Sequence, residues 1–476
     1  MPAAKNDGTR SRAPALPGRS RIGRLLLWAV IVWAVGAPRA QARSRTDPSA
    51  AIVRAELKNG VHIVVERNAG APVVAIRAIW AVGTARLRPP QAAMAKLVAA
   101  TVTGGCGARS TDQVAREMDA AGGVLSGFAG TTTTGIAANL MAATWQRGLD
   151  VVADCILSPH FEANTVAAAR RRLSAKLAAA ASDPATVAFR TFVAALYPHR
   201  ASAAGNIQLA SAVGANDVIQ FYHDHYSPSA VTIAVVGDVD PEQVIGHVRA
   251  RLGDAPRSPA AQIPVNPPQG DNPNPPIKEV YRYLDTDRAQ VIVGYRGLPI
   301  SHPGRHTLDV LVAILDDQLA AAAREQPNLA FRVGALAHTT TDPGFVAAYI
   351  ICPPERVSEA AALVRKTIAR VAENGPSDAQ VQRAARFLAA THRQSLLRSD
   401  SQAAALGYRV AHGVGLDGYL RYALRVRKVT PQAVRRLASE LFARTAVVVT
   451  VMPETLTPAA RKRTAGPQSR RPRGES

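Results

Sequence analysis

Short runs of alternating apolar and polar residues predict β-strands near the start of the folded part of the chain. Residues 51–66 read AIVRAELKNGVHIVVE, which is two alternating runs around Asn59-Gly60. An Asn-Gly pair between such runs is a strong hairpin signal, because both residues accept the positive φ of a tight turn. Residues 71–82, APVVAIRAIWAV, alternate in the same way and predict a third strand.

Helical spacing of apolar residues then predicts four helices, over residues 91–105, 112–121, 143–157 and 163–181. A Gly/Thr-rich segment, VLSGFAGTTTTGIAANLM, predicts a strand between the second and third of them. NDVIQFYHDHYSPSAVTIAVVGDVD closes this half with a helix, a turn at Ser227-Pro228 and a β-branched strand.

The same order of patterns recurs in the second half of the chain. KEVYRYL and AQVIVGYRGL are strand-like, residues 306–324 are helical, and FRVGALAHTTTDPGFVAAYIIC predicts two strands around Asp342-Pro343-Gly344. Two helices over 354–397 and a helix at 431–442 follow, and TAVVVTVMP repeats the strand TIAVVGDVD that ends the first half. Such a repeat predicts two similar domains.

We therefore predict an α+β fold of two similar halves, each a mixed, mostly antiparallel sheet packed with helices. The halves are residues 51–253 and 277–455. Between them, residues 254–276, DAPRSPAAQIPVNPPQGDNPNPP, carry closely spaced prolines and predict a semi-extended linker. Residues 456–476 predict a basic, disordered tail.

The two ends of the chain carry much of its charge and predict export. Residues 1–42 combine basic residues, the apolar run LLLWAVIVWAVGA and a small-x-small Ala40-Gln41-Ala42 site, which is typical of a cleaved signal peptide. The alternative is an uncleaved membrane anchor; either way the protein is expected in the periplasm or outside the cell.

About half of the net charge of +22 lies in 1–42 and 461–476. We therefore predict no nucleic-acid partner, and at most weak contact of the tail with an anionic membrane.

The three cysteines, Cys106, Cys155 and Cys352, are few, odd in number and widely spaced. This usage excludes a disulfide scaffold and a Cys-x-x-Cys metal site. We expect all three to be small buried apolar residues.

Five segments between residues 53 and 452 occur in an order that is characteristic of one family. They are LKNGVHIVVE, WAVGTARLRPPQAAMAKL, ASDPATVAFRTFVAALYPHRASAAG, FYHDHYSPSAVTIAVVGDVD and REQPNLAFRVGA. In these segments the chain resembles the insulinase/pitrilysin family of zinc metallopeptidases, and most closely the two-domain branch of mitochondrial processing peptidase. The resemblance implies two homologous α/β-sandwich-like halves.

The resemblance also implies an inverted zinc motif, H-x-x-E-H, on the first long helix. Its two histidines hold zinc and its glutamate polarises the metal-bound water. Residues 96–100 of this chain read KLVAA, so Lys96 stands at the first histidine, Ala99 at the glutamate and Ala100 at the second histidine. The family's third ligand, a glutamate on a later helix, falls on Lys176.

These substitutions remove every zinc donor of the motif, because alanine has none and a lysine ammonium repels the metal. We therefore predict no catalytic residue and no zinc site at Lys96, Ala99, Ala100 and Lys176. If the two lysines face one pocket, they leave it filled with water or pair with an anionic group. Otherwise, both extend into solvent.

Other sequence patterns offer few replacement sites. His223 and His225 have chelating spacing on a strand, but they diverge on a helix. His302 and His306 are four apart, with Pro303 and Gly304 between them and no evident third ligand. The chain has no Gly-x-Ser-x-Gly motif and no phosphate-binding glycine loop.

In two-chain members of the family, a non-catalytic partner supplies substrate contacts, including an Arg/Tyr pair from its second half. Tyr349 matches the tyrosine of this pair, whereas Thr341 occupies the position of the arginine. Arg332 is a candidate to replace that arginine, but it lies farther away in the sequence. Relatives also carry a glycine-rich substrate-sensing segment. Here ILDDQLAAAAREQPNLAF has no glycine between Asp316 and Arg324 and predicts continuous helix, so that role is not expected.

Three hypotheses follow. The first is a non-catalytic subunit that pairs with a catalytic zinc peptidase homologue, which carries the zinc, and helps to bind an extended peptide. The second is a stand-alone peptide-binding or chaperone-like protein that holds peptide by strand addition. The third is an active metallopeptidase with a relocated metal site, which requires metal or turnover in the isolated chain.

Overall fold

The computed structural model describes residues 52–198, 212–257 and 278–457, which belong to one compact unit. The predicted signal peptide at 1–42, most of the predicted linker and nearly all of the predicted tail lie outside these ranges. Within the described ranges, no helix combines the length and the apolar character needed to cross a membrane.

The first half contains a six-stranded mixed sheet with the strand order β1-β2-β6-β3-β5-β4. Its β2–β6 pair is parallel and its other pairs are antiparallel. The strands are β1 (Ile52–Glu56), β2 (His62–Arg67), β3 (Val73–Trp80), β4 (Val124–Ala129), β5 (Thr134–Met141) and β6 (Thr232–Gly237). The segment VLSGFAGTTTTGIAANLM forms two strands, not one, because the chain reverses where the Gly130 N–H donates to the Thr133 carbonyl.

In the first half of the chain, the structure describes helices α1 to α7. They are α1 (Pro89–Thr101), α2 (Thr111–Ala120), α3 (Trp145–Leu157), α4 (Ala163–Ser182), α5 (Pro184–Leu196), α6 (Ala215–His225) and α7 (Pro241–Leu252). The sequence patterns predicted α1 to α4 and α6 but not α5 or α7.

The second half contains a five-stranded sheet with the order β7-β11-β8-β10-β9, in which only the β7–β11 pair is parallel. The strands are β7 (Lys278–Leu284), β8 (Ala289–Arg296), β9 (Arg332–His338), β10 (Phe345–Cys352) and β11 (Val447–Pro453). The helices are α8 (Arg305–Arg324), α9 (Val357–Asn374), α10 (Asp378–Ser395), α11 (Ser399–Ala411), α12 (Asp417–Leu420), α13 (Tyr422–Arg427) and α14 (Pro431–Phe442). The predicted fold class, α+β with two mixed, mostly antiparallel sheets, is confirmed.

The predicted hairpin at Asn59-Gly60 joins β1 to β2, and Gly60 adopts the positive φ, 104°, that the turn needs. The Asn59 side chain is buried and its Nδ2 donates to the carbonyls of Leu252, at 2.7 Å, and Ala255, at 3.2 Å. Asn59 therefore ties this turn to the end of α7.

Each half places one helix on the sheet of the other half. Helix α5 packs on β7, β8 and β11 of the second sheet, and α11 packs on β2, β3 and β6 of the first. On α5, Ala188, Phe192 and Leu196 recur every four residues and are buried against the second sheet. The sequence prediction of two halves did not include this exchange, which ties the two sheets together.

Candidate functional site

Helix α1 carries three of the four positions at which the family places its zinc motif. Pro89 at its first position suits a helix start, and the Arg88 backbone N–H donates to Gln91 Oε1 at 3.1 Å. On α1, Ala99 is buried, Lys96 is partly buried and Ala100 is exposed.

Strand β4 runs directly beside this part of α1. A Cβ atom at Gly127 would overlap the carbonyl oxygen of Ala99, so the glycine permits the close approach. Because β4 is the last strand of its sheet, one row of its backbone N–H and C=O groups faces away from β5.

Helix α4 brings the fourth position to the same place. Ala93 of α1 and Leu177 of α4 are buried together, with Leu173 packed against them. Lys96 lies one turn after Ala93, and Lys176 immediately precedes Leu177. The side chain of Lys176 is exposed, in agreement with a lysine that extends into solvent, but that of Lys96 is not.

Helix α5 adds a third cation that the sequence analysis did not identify. Burial, then the charges of Arg190 and Lys176, lower the pKa of Lys96 below its ordinary value of 10.5. These two charges act on Lys96 from α4, which packs on α1, and from α5, which packs on α4. We call Lys96, Lys176 and Arg190 the cationic cluster.

The donor set at these positions does not fit zinc. The four family positions supply two ammonium groups and two methyl groups, and none of these binds a dication. Among the residues that the structure describes, no group of three or more His, Cys, Asp or Glu side chains could hold a metal ion.

The candidate histidine pairs have other contacts. His223 and His225 lie on α6, where residues two apart point in different directions. The His225 ring packs on Phe221 at a centroid distance of 4.5 Å. His302 Nδ1 accepts the Gly304 N–H at 3.0 Å, and His306 Nε2 contacts the Gly418 carbonyl oxygen at 3.1 Å.

Tyr349 lies on β10, on the face of the second sheet that α5 covers. Its ring meets Phe189 of α5 edge-on, with centroids 6.0 Å apart, and the Arg332 guanidinium is 6.0 Å from its centroid. Phe189 is the neighbour of Arg190 in the chain, so α5 connects Tyr349 to the cationic cluster. The apolar stripe of α5 was the sequence signal that could have revealed this link.

The segment ILDDQLAAAAREQPNLAF is not continuous helix, so that prediction was wrong. Helix α8 ends at Arg324, and Asn328 adopts a left-handed φ of 62°. Pro327 explains the end of the helix, because proline lacks the N–H that a helix interior needs.

The three cysteines are buried and free, as expected. A hydrogen bond with Cys106, together with burial, raises the pKa of the Cys155 thiol. Burial raises the pKa of Cys352 to about 11. The thiols of Cys155 and Cys352 are therefore poor nucleophiles at neutral pH.

The chain is similar to known peptidases and their homologues. A family model described as "Peptidase M16 inactive domain" matches residues 212–388, a range that includes neither α1 nor α4. An uncharacterized zinc protease of Mycobacterium tuberculosis is 26% identical over 415 residues, which cover 84% of this chain and 94% of that protein.

Two solved structures share the fold. A protease from Helicobacter pylori matches with a TM-score of 0.78 and 15% identity, over 84% of this chain and 99% of that one. A peptidase M16 inactive domain from Pseudomonas fluorescens matches with a TM-score of 0.76 and 17% identity, over 84% of this chain and 98% of that one.

Proposed function

Because this chain is an insulinase/pitrilysin-like (M16-like) peptidase homologue without zinc donors at the family's motif positions, we propose that it is a non-catalytic subunit. In this proposal it pairs with a catalytic zinc peptidase homologue and helps to bind an extended peptide substrate. The observation that supports it most is that Lys96, Ala99, Ala100 and Lys176 stand at the motif positions of an otherwise complete two-sheet fold.

Peptide binding is supported by the edge strand β4. An extended peptide can add to the outer row of its backbone groups, as peptides add to open sheet edges in other proteins. Val124 on β4 is 65% exposed, which leaves an apolar side chain available to the peptide. A peptide on this edge passes beside Ala99 and the cationic cluster, because β4 and α1 are in contact there.

Tyr349 supports the role of the second half in this proposal. Its half-buried ring meets Phe189 edge-on and lies under the Arg332 guanidinium, and these contacts restrict the motion of the ring. A tyrosine held in this way loses little entropy when it donates to a peptide carbonyl.

The proposed site of action is outside the cytoplasm, in the periplasm or the extracellular space. The sequence of residues 1–42 supports export, either as a cleaved signal peptide or as an anchor.

A reconstitution experiment tests the pairing. Purified residues 43–476 are mixed with a homologue that keeps H-x-x-E-H, ideally one encoded by an adjacent reading frame, and peptide cleavage is followed. We expect cleavage by the mixture to exceed that by the homologue alone, and Tyr349→Phe to reduce the gain. Tyr281→Phe is the matched control, because Tyr281 is an exposed tyrosine on β7. An unchanged rate, with no complex in gel filtration, contradicts the proposal.

A stand-alone peptide-binding protein is the second candidate, and the open edge of β4 favours it as well. The same experiment separates the two. Peptide binding by the isolated chain, without complex formation or enhanced cleavage, supports the stand-alone protein.

A further inference from the structure

We propose that Cys106 and Cys155 join in a disulfide bond when the chain folds in an oxidising compartment. For its occurrence in the cell this inference rests on the proposed export, because the cytoplasm keeps thiols reduced. The bond itself depends only on how the fold places the two cysteines, so the purified chain can test it.

The two cysteines are neighbours in the core of the first half. Cys106 lies in the loop between α1 and α2, and Cys155 lies in the last turn of α3. The Cys106 thiol donates to the Val151 carbonyl, with 3.7 Å between sulfur and oxygen, and Val151 lies one turn before Cys155 on α3. The two cysteine side chains also share a hydrogen bond. Sulfurs placed in this way need only small adjustments of their side chains and backbone to reach bonding distance.

Backbone contacts hold the Cys106 loop against the segment that follows α3. The Gly107 N–H donates to the Ser158 carbonyl at 2.9 Å. The His160 N–H donates to the Gly105 carbonyl at 3.0 Å, so the two segments form a short β-bridge. Because these hydrogen bonds lie on both sides of Cys106, they fix the position of its backbone beside the end of α3.

An ion pair next to the two cysteines supports the same placement. The partly buried Arg109 guanidinium binds the carboxylate of Asp154, the residue before Cys155. The other oxygen of this carboxylate accepts from Arg251 Nη2 at 2.5 Å. The approach of the Cys106 loop to α3 is therefore maintained by contacts that do not involve sulfur.

Oxidation has to occur before folding is complete, because both cysteines are 0% exposed in the native fold. In the partly folded chain, the thiolate of one cysteine attacks a disulfide donor, which forms a mixed disulfide and releases one donor thiol. The thiolate of the other cysteine then attacks the protein sulfur of the mixed disulfide and releases the second donor thiol. The two cysteines lose two electrons and two protons, and the donor disulfide gains them.

The third cysteine is placed apart from this pair. Cys352 lies on β10 and packs in the core of the second half. We therefore expect it to remain a thiol. The chain then carries one crosslink, not the disulfide scaffold that its cysteine usage excludes.

Thiol counting after oxidative refolding tests the inference. The full chain is reduced and denatured, refolded with reduced and oxidised glutathione, quenched with acid, and alkylated in denaturant before mass spectrometry. We expect one alkylated cysteine, Cys352, and a digest in which the peptides of Cys106 and Cys155 are linked. Three alkylated cysteines, glutathione adducts in place of the bond, or a link that includes Cys352 would overturn the inference.

Stability measurements and variants show whether the native fold accommodates the bond. The bond closes a loop of about 50 residues, so Tm of the oxidised chain should exceed that of the reduced chain by about 3–6 °C. The control Cys352→Ala should keep both the link and this difference, whereas Cys106→Ala should lose both. A bond that leaves Tm unchanged or lowers it counts against the inference. The thiol count of the wild type does not depend on the folding of either variant.

Cell fractionation separates this inference from the proposed location. The full chain is expressed with its own N-terminal segment, and the exported and cytoplasmic fractions are quenched and alkylated. A linked pair in exported protein supports both proposals. Free thiols in exported protein overturn the disulfide and leave the location. A chain that stays in the cytoplasm but forms the link on refolding contradicts the location and leaves the disulfide.

Discussion

Replacing Phe192 by alanine tests whether the exchanged helices make the two halves one unfolding unit. Phe192 is 0% exposed, its ring meets Phe345 edge-on at 5.3 Å, and it fills the space above Gly294, where a Cβ atom would overlap it. Truncation of a buried Phe to Ala costs about 3–5 kcal/mol. The aromatic pair accounts for about 0.5–1.5 kcal/mol of that loss. We expect the free energy of unfolding to fall by about 3–4 kcal/mol.

Urea unfolding of residues 43–476, followed by two probes, is the assay. Trp80 and Trp145, the tryptophans of this range, both lie in the first half, so tryptophan fluorescence reports that half. Far-UV circular dichroism reports both halves. Phe192 packs on the second sheet, so its truncation weakens the packing of that sheet. If the two halves unfold as one unit, the variant shifts the fluorescence transition and the dichroism transition together.

The control is Phe387→Ala on α10, where the side chain is 64% exposed. It should change the free energy of unfolding by less than about 0.5–1 kcal/mol. A Phe192→Ala loss as small as this, or a fluorescence transition that stays in place while the dichroism transition shifts, would refute the reasoning.

Three further predictions concern single sites. Lys96→Met should raise the free energy of unfolding at pH 7, because burial and two neighbouring positive charges lower the pKa of Lys96 in the fold. A lysine whose pKa is lowered in the fold reduces the free energy of unfolding fully at a pH below its native pKa, and not at all at a pH above the unfolded value of 10.5. The gain from Lys96→Met should therefore shrink as pH rises towards 10.5. A gain that does not depend on pH would contradict this prediction. The combined variant Lys96→His, Ala99→Glu, Ala100→His and Lys176→Glu should bind zinc in equilibrium dialysis. A variant that lacks the Lys176→Glu substitution on α4 should bind zinc more weakly. If the combined variant binds no zinc, the four positions do not lie round one site. Cys352, with a pKa raised to about 11, should react with Ellman's reagent at least about a hundredfold faster in denaturant than in the native protein at pH 8; equal rates would contradict its burial.

Local patterns predicted most of the strands and the first hairpin, because their signals lie within a few residues, but they missed the reversal between β4 and β5. Examples are the Asn59-Gly60 turn and the strands β6 and β11, which are the last strands of the two halves in sequence. The three motif positions on α1, Lys96, Ala99 and Ala100, could also be read from the sequence, because the motif fixes their spacing along one helix.

The exchange of α5 and α11 could not be predicted in this way. Periodicity identifies the buried face of a helix, here Ala188, Phe192 and Leu196, but it does not identify the sheet that covers the face. For the same reason Arg190 was missed as a neighbour of Lys96. Its approach depends on the turn at Asp183 and on tertiary packing, not on spacing within α1.

The most direct test of the central claim is zinc content together with peptidase activity of purified residues 43–476, alone and mixed with the H-x-x-E-H homologue. The account predicts zinc far below one ion per chain and no cleavage by the chain alone, with enhanced cleavage in the mixture. One zinc per chain, with peptide cleavage by the chain alone that a chelator abolishes, would contradict it.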